Sequence, residues 1–400
     1  MASVKQTQPD KPGFVVLFEE ATEKNAALLS DALGFKRHRR ENGCTILENA
    51  THRARVFDAL GVAVCDIDDV RLKALRQHNR VAGVYENELR QLPSHAFTSW
   101  PGPQAVMGPT GAAAISWGLQ AIGVDETTPL TGRGVKIAIL DTGLAMDHPD
   151  FAGRFREGEN VRSLVTGVSA TDTYGHGTHC AGVLAASANS VSGLRYSVAP
   201  GADLHAGRVF NAATPSPRAS DDDILEGIVW ADEKQCRVIS LSLGTPRQPG
   251  APFAGLYEPL AARLLARKEK SVLLIAAAGN DSRRPWIRAA VENPAACPSI
   301  FCVGAVDAFG RIAPFSNGQA DAIGGVNLSG PGVGIYSSYL QRGFASLDGT
   351  SMATPHVAGL AALYLERLPQ LNARELGRML VQRAFPLGPV YDFGAGLAAL

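Results

Sequence analysis

The sequence predicts an α/β protein with a doubly wound, mostly parallel sheet, preceded by a small α+β unit. Three observations carry this reading. Short apolar runs at residues 135–140, 204–209, 238–241, 272–277 and 301–306 have the length and composition of buried strands. Helical stretches at 177–186, 223–232 and 255–268 fall between several of them, the rhythm of a parallel sheet covered on both faces. Before all of these, a segment rich in Pro, Gly, Ala and Ser at 93–114 separates a first, shorter set of elements from the rest.

That first set begins after a polar N-terminus, residues 1–12, expected to be loose. Residues 14–18 (Phe-Val-Val-Leu-Phe) form a strand and the Ala- and Leu-rich run 21–33 a helix. Residues 53–57 and 62–66 are strand material. Residues 68–76 place Val70, Leu72 and Leu75 at helical spacing, and 81–85 return to strand. The resulting organisation is a flexible start at 1–12, a small domain at 13–93, a linker at 94–115 and a large domain at 116–400. The run Arg37-His38-Arg39-Arg40 is too short for a binding stripe and is expected as a solvated turn.

Composition excludes several functions. Hydrophobic residues make up 46% of the chain, enough for a large core and against long disorder. Lys+Arg and Asp+Glu both number 38, so no net field draws in nucleic acid or an anionic membrane, and neither is expected as a partner. No apolar stretch is long enough to span a bilayer, and the N-terminus shows no secretory signal. A cytoplasmic location, or export by a non-standard route, is the corresponding expectation, with a monomeric state. The cysteines at 44, 65, 180, 236, 297 and 302 show no metal-binding spacing and are expected as buried thiols, although Cys297 and Cys302 are near enough in sequence to pair.

Three segments carry chemistry. Asp141-Thr142-Gly143 follows directly on the strand at 135–140. Gly175-His176-Gly177-Thr178-His179-Cys180 opens a helix, and Gly349-Thr350-Ser351-Met352-Ala353-Thr354-Pro355 opens another. Singly, each has a plain explanation as a turn aspartate, a helix start or an N-cap serine. Together they supply a nucleophile, a base and an orienting carboxylate. A serine hydroxyl needs a neutral imidazole to take its proton and a buried carboxylate to fix the imidazole tautomer. A helix start adds free backbone N–H groups beside the serine oxygen.

All three segments resemble the signature motifs of the subtilisin family, in that family's known order of Asp, His, Ser. The resemblance covers about residues 116–400 and, more loosely, the N-terminal unit. It implies a serine endopeptidase acting on protein or peptide substrates, with Asp141, His176 and Ser351 as triad and Asn280, in Ala276-Ala277-Ala278-Gly279-Asn280, as oxyanion donor. It implies that Ser242-Leu243-Gly244 pairs with a bound peptide, with the stretch containing Arg218 on the other side. Asp221 and Asp222, beyond that stretch, are expected either as helix-start residues or as attractors of basic side chains.

On the same resemblance Glu292 lies at the floor of the pocket for the residue before the cut, and Asp281 at its rim. Carboxylates there favour Arg or Lys. The alternative is that Glu292 turns away and pairs with Arg283, Arg284 or Arg288. A cis bond is expected at Asn293-Pro294. No cofactor is implied for the chemistry. A structural calcium is implied near Asp150, though the loop 188–196 departs from the family pattern in length and in carrying Arg195. Residues 13–93 resemble the family's inhibitory propeptide, so self-cleavage is expected in or near the linker, with Arg90 a candidate if basic residues are preferred. A permanently retained domain, as in a dedicated processing protease, is the alternative. A catalytically dead peptide-binding module is the reading from another class, and the presence of all four chemical residues argues against it.

Overall fold

A computed structural model describes residues 13–35, 37–41, 44–49, 52–92, 96–97, 114–212 and 216–400. The expected loose N-terminus at 1–12 and most of the expected linker, 98–113, lie outside the described residues. The chain divides into two compact units, residues 1–89 with 220–222 and residues 90–219 with 223–400.

The first unit is a six-stranded antiparallel sheet with two helices. Phe14–Phe18 lies near one edge, between Val62–Asp66 and Val81–Glu86. The helices Lys24–Leu33 and Asp69–Arg76 contribute Leu28, Leu29, Leu33, Leu72 and Leu75 to a core shared with Val16, Phe18, Leu47 and Val56. The first helix starts three residues later than expected and stops at Gly34, which is left-handed at φ 69°. The second is capped by Asp68, whose carboxylate accepts from Arg71 N at 2.9 Å. The expected turn at Arg37–Arg40 is instead a strand, Arg37–Glu41, paired with Cys44–Glu48 at the sheet edge. Charged side chains are the usual protection of an exposed edge, and Arg39 and Arg40 are exposed.

The second unit holds a seven-stranded sheet in the order Val161–Ser163, Asp203–Arg208, Lys136–Asp141, Val238–Leu241, Leu273–Ala277, Phe301–Val306, Leu328–Pro331. All its pairings are parallel. The strands are buried on both faces, which is why they read as continuous apolar runs in the sequence. Helices His176–Ala185 and Thr350–Arg367 are buried along their lengths, with Leu184, Val357, Leu360 and Leu363 in one core with Ile137, Ile139 and Ile275. The expected helices at 223–232 and 255–268 are Asp221–Glu233 and Tyr257–Ala266. The first sheet strand in the chain, Lys136–Asp141, lies between Asp203–Arg208 and Val238–Leu241, so strand order reverses there. In such sheets, sites form outside the carboxyl ends of strands at this crossing point. Asp141 ends its strand, and Ser242 and Asn280 follow the carboxyl ends of theirs.

Among the described residues no helix is long and apolar enough to cross a membrane. All six cysteines are buried and none is in a disulfide, so Cys297 and Cys302 do not bond to each other. Asn293-Pro294 is cis, and so is Arg284-Pro285.

Candidate active site

The fold brings together the three motif segments. His176 Nδ1 lies 2.8 Å from Asp141 Oδ1, and both side chains are essentially inaccessible to solvent. With the carboxylate as acceptor, Nδ1 carries the proton and Nε2 is the basic nitrogen. Burial pulls the His176 pKa down, but the Asp141 charge and hydrogen bond outweigh it and hold the imidazole well above its ordinary range. The backbone N–H of Thr142 also donates to Asp141 Oδ1, at 2.7 Å.

The pair is held by a residue that the sequence reading missed. Asp172 Oδ1 accepts from Thr142 Oγ1 at 2.9 Å and from the N–H groups of Tyr174 and Gly175, both at 2.9 Å. Its Oδ2 accepts from Thr178 N at 2.9 Å and Thr178 Oγ1 at 2.7 Å. One carboxylate thus ties the strand end at Thr142 to the orphan donors at the start of the His176 helix. Thr142 Oγ1 in turn accepts from Gly177 N at 2.8 Å. The approach is so close that a Cβ on Gly177 would meet Gly143 O at 2.4 Å, and one on Gly143 (φ 111°) would meet Ala170 O at 2.4 Å. An acid four residues ahead of the histidine was the available signal.

Ser351 sits in the first turn of Thr350–Arg367 and is buried. Pro355, four residues on, has no N–H, so the Ser351 carbonyl lacks its normal helical donor. Two neighbours replace it: Ser242 Oγ donates at 3.1 Å and Cys180 Sγ at 3.4 Å. In the segment Ser242-Leu243-Gly244, expected to pair with a bound peptide, the Ser242 hydroxyl fixes the serine turn. Cys180 also stands 3.9 Å from His176 Nδ1, so it links the two segments rather than merely filling space.

Asn280 Oδ1 accepts from Thr350 N at 2.9 Å and Thr350 Oγ1 at 2.8 Å. These donors assign the oxygen end of the amide and leave Nδ2 on the Gly349 side, where a Cβ on Gly349 would meet it at 3.3 Å. Asn317, also missed from sequence, holds the loop behind it. Its Oδ1 accepts from Asp281 N at 2.8 Å and Ser282 N at 3.0 Å, while Nδ2 donates to Ala290 O at 3.1 Å.

Glu292 is 2% exposed, and its carboxyl group lies between Gly244 and Gly279. A Cβ built on either glycine would meet its Oε2 at 2.0 Å or Oε1 at 2.5 Å, respectively. Burial raises its pKa well above the ordinary range, the hydrogen-bonded Asp281 raises it further, and the N–H of Asn280 opposes them. Asp281 itself is exposed. Arg284 and Arg288 are engaged elsewhere, both with Asp392, at 2.6 and 2.8 Å.

The expected peptide-pairing segments are occupied by the chain itself. Gln91 N donates to Gly244 O at 2.9 Å and Gly244 N to Gln91 O at 3.0 Å, an antiparallel bridge. The short strand that contains Arg90 and Gln91 also pairs with the strand that contains the exposed Arg218. Further on, Ala96 pairs with Asp348 and Phe97 with Leu347, on the strand that leads into Ser351. Leu243 is buried in the core. Asp221 and Asp222 serve the first unit: Asp221 Oδ2 accepts from Glu88 N at 3.2 Å, and Asp222 pairs with Arg55.

Asp150 does not fit the calcium role. It is buried, its Oδ1 accepts from Val191 N at 2.9 Å and its Oδ2 from Tyr196 OH at 2.6 Å. Both oxygens that a cation would bind already accept a donor, which competes with a cation for the carboxylate. Burial, and then the Asp150 hydrogen bond, raise the Tyr196 pKa, so the phenol stays a donor. The long loop at 188–196, where the sequence departs from the family pattern, supplies both donors. Among the described residues, the one His/Cys/carboxylate cluster close enough to hold a metal is Asp141, His176 and Cys180. That cluster is already tied together by the bonds described above.

Comparison with known proteins agrees with this geometry. The profile described as Subtilase family matches residues 132–396. The chain is 37% identical to an alkaline protease of Alkalihalobacillus alcalophilus over 294 residues, covering 72% of this chain and 69% of that protein. It is 37% identical to Subtilisin Savinase of Lederbergia lenta over 292 residues, 72% of this chain and 97% of that protein. It is 34% identical to alkaline elastase YaB of a Bacillus species over 291 residues, 72% and 70%. With the match spanning the whole sheet and every motif segment, this chain belongs to the subtilase family of serine proteases.

Proposed function

We propose that the chain is an endopeptidase that cuts through an acyl-enzyme on Ser351, prefers Arg or Lys before the cut, and matures by cutting its own linker. The observation that carries the catalytic part is the buried His176–Asp141 pair at 2.8 Å in one site with Ser351 and Asn280, four residues from four separate segments. In the proposed cycle Ser351 Oγ attacks the peptide carbonyl carbon as its proton passes to His176 Nε2. Asp141 stabilises the imidazolium. Asn280 Nδ2 and the Ser351 N–H receive the oxyanion, and loss of the amide would lower kcat by about 10²–10³-fold, a magnitude carried over from subtilisin itself. The imidazolium then protonates the leaving amine as the C–N bond breaks, and water repeats the sequence to release the acid. Apart from that water, the cycle uses the chain's own groups.

The sign of the pH dependence follows. His176 acts as a base only when neutral, and its pKa is raised, so activity climbs with pH and levels off above the ordinary histidine range. The basic preference is supported by the Glu292 carboxyl between Gly244 and Gly279. The maturation step is supported by Gln91, which pairs with Gly244, and by Ala96 and Phe97, which pair with Asp348 and Leu347 on the strand leading into Ser351.

The test is the intact mass of the protein over time beside Ser351→Ala. The expected result is that the native chain loses its N-terminal unit and the variant does not. If both stay full length, the N-terminal unit is a retained domain and the maturation reading fails.

A further inference from the structure

The segment that carries Glu292 is held from behind by an ion pair that the proposed cycle does not use. Arg247 lies in an irregular stretch of chain, yet its side chain is 1% exposed. Burying a guanidinium is costly unless both its charge and its N–H groups find partners. Nη1 and Nη2 donate to the two oxygens of Asp321, at 2.7 and 3.0 Å, in a bidentate fork. Nη1 also donates to Ala251 O at 2.6 Å, and Nε donates to Val291 O at 3.2 Å. Asp321 takes two further donors, Gly250 N at 2.7 Å and Ile323 N at 2.9 Å. The pair thus locks two irregular stretches, around 247–251 and 321–323, to the carbonyl of Val291.

That carbonyl belongs to the peptide unit joining Val291 to Glu292. The N–H of the same unit, Glu292 N, donates to Ala278 O at 3.0 Å. One peptide plane is therefore pinned on both sides, by Arg247 and by the residue that follows the strand Leu273–Ala277. The direction in which the Glu292 side chain leaves the backbone is set by this plane. A tilt of it would swing the carboxyl out of the gap between Gly244 and Gly279, where a Cβ on either glycine would collide with it. The next residue is tied to the same stretch: Thr245 and Asn293 exchange backbone hydrogen bonds at 2.8 and 3.1 Å, and Ala254 N donates to Asn293 Oδ1 at 2.9 Å. A lysine at 247 could keep the pair with Asp321, but a single ammonium on a flexible stem lacks the fork that reaches Asp321 and Val291 O together.

We infer that Arg247 and Asp321 are positioning residues for Glu292, and that selectivity for a basic residue before the cut depends on their holding the Val291–Glu292 peptide plane. The inference rests on the basic preference proposed above. Asp321 also answers the charge of Arg247, so no free cation stands behind Glu292. Asp281 and the Cys302 thiol are the other titratable groups within electrostatic reach of that carboxyl.

The test compares kcat and KM for two peptides that differ only in Arg or Leu before the cut. It uses the purified native protein, Glu292→Gln, Arg247→Lys, and Arg247→Lys combined with Glu292→Gln. Ser351 is titrated in each with a fluorophosphonate, so that rates refer to competent sites. In Arg247→Lys the Arg-over-Leu ratio of kcat/KM should fall by about tenfold, carried by KM for the Arg peptide. Adding Glu292→Gln should lower it little further, because both changes remove one interaction. Asp321→Asn is read in the same way if the lysine variant does not accumulate as folded protein. There the cation left behind Glu292 should also move the rise of the ratio with pH to lower pH. A native ratio in the folded Arg247→Lys protein, or an equal fall on both peptides, overturns the positioning role and leaves the Glu292 reading standing. A native protein without a basic preference, or one whose preference survives Glu292→Gln, overturns the Glu292 reading and this inference with it.

Discussion

Asp172 and Glu292 are both buried, at 4% and 2% exposure, yet their surroundings are opposite. Asp172 receives five hydrogen bonds, from Thr142, Tyr174, Gly175 and twice from Thr178. Every lone pair has a donor, so the group is part of a fixed frame. Glu292 has a second acid, Asp281, as neighbour, and the N–H of Asn280 as its named stabiliser. A negative charge there is poorly compensated within the chain. The first arrangement suits a frame that must not move during catalysis, and the second suits a site that responds to its ligand.

The frame is broken most severely at Asp141. Asp141→Asn should lower kcat by about 10⁴-fold, the size seen on loss of the triad carboxylate in serine proteases. It should also move the remaining pH–rate limb to lower pH, because the charge that raises the His176 pKa is gone while burial remains. A pH–rate profile of the variant checks both. Asp172→Ala leaves the N–H groups of Gly175 and Thr178 without their acceptor. Urea unfolding should show a loss of at least about 3 kcal/mol. The residual folded enzyme should lose about 10²-fold in kcat through misplacement of His176.

The responsive side is probed by Glu292→Gln. In the native protein the ratio of kcat/KM for Arg over Leu before the cut should climb with pH, since a raised carboxyl pKa means the charge appears only as pH increases. In Glu292→Gln the ratio should drop by about tenfold or more and become flat with pH. A ratio that stays high and pH-independent in the variant would show that Glu292 does not read the substrate. The smallest effect concerns Asp150. Tyr196→Phe removes one donor and should cost about 1–2 kcal/mol in thermal or urea unfolding. Unfolding of the native protein should be the same in calcium and in chelator if Val191 and Tyr196 hold Asp150.

The parts legible in sequence were those in which one short segment carries its own signal. Asp141, His176 and Ser351 stand in dense local motifs, and the strands that position them are long apolar runs because both sheet faces are covered. The Arg37–Glu41 edge strand was not legible, since charge-rich edges lack the apolar alternation that marks half-buried strands. Asp172 ties nearby backbone donors to the hydroxyl of the distant Thr142, and Asn317 bonds backbone groups far from it in sequence, links that no periodicity reveals. The role of Ser242 depended on Pro355 removing a helical donor 113 positions later, a link visible only once the helix is placed against the strand end. The calcium expectation at Asp150 turned on a loop whose length differs from the family pattern, and the donors that take its place come from that loop.

The central claim is that Ser351 is a nucleophile activated by His176. Its most direct test is reaction of the native protein with a fluorophosphonate, followed by peptide mapping by mass spectrometry. The account predicts stoichiometric phosphonylation at Ser351, faster at higher pH and abolished in Ser351→Ala. Absence of labelling, or labelling at another residue with Ser351 unmodified, would contradict it.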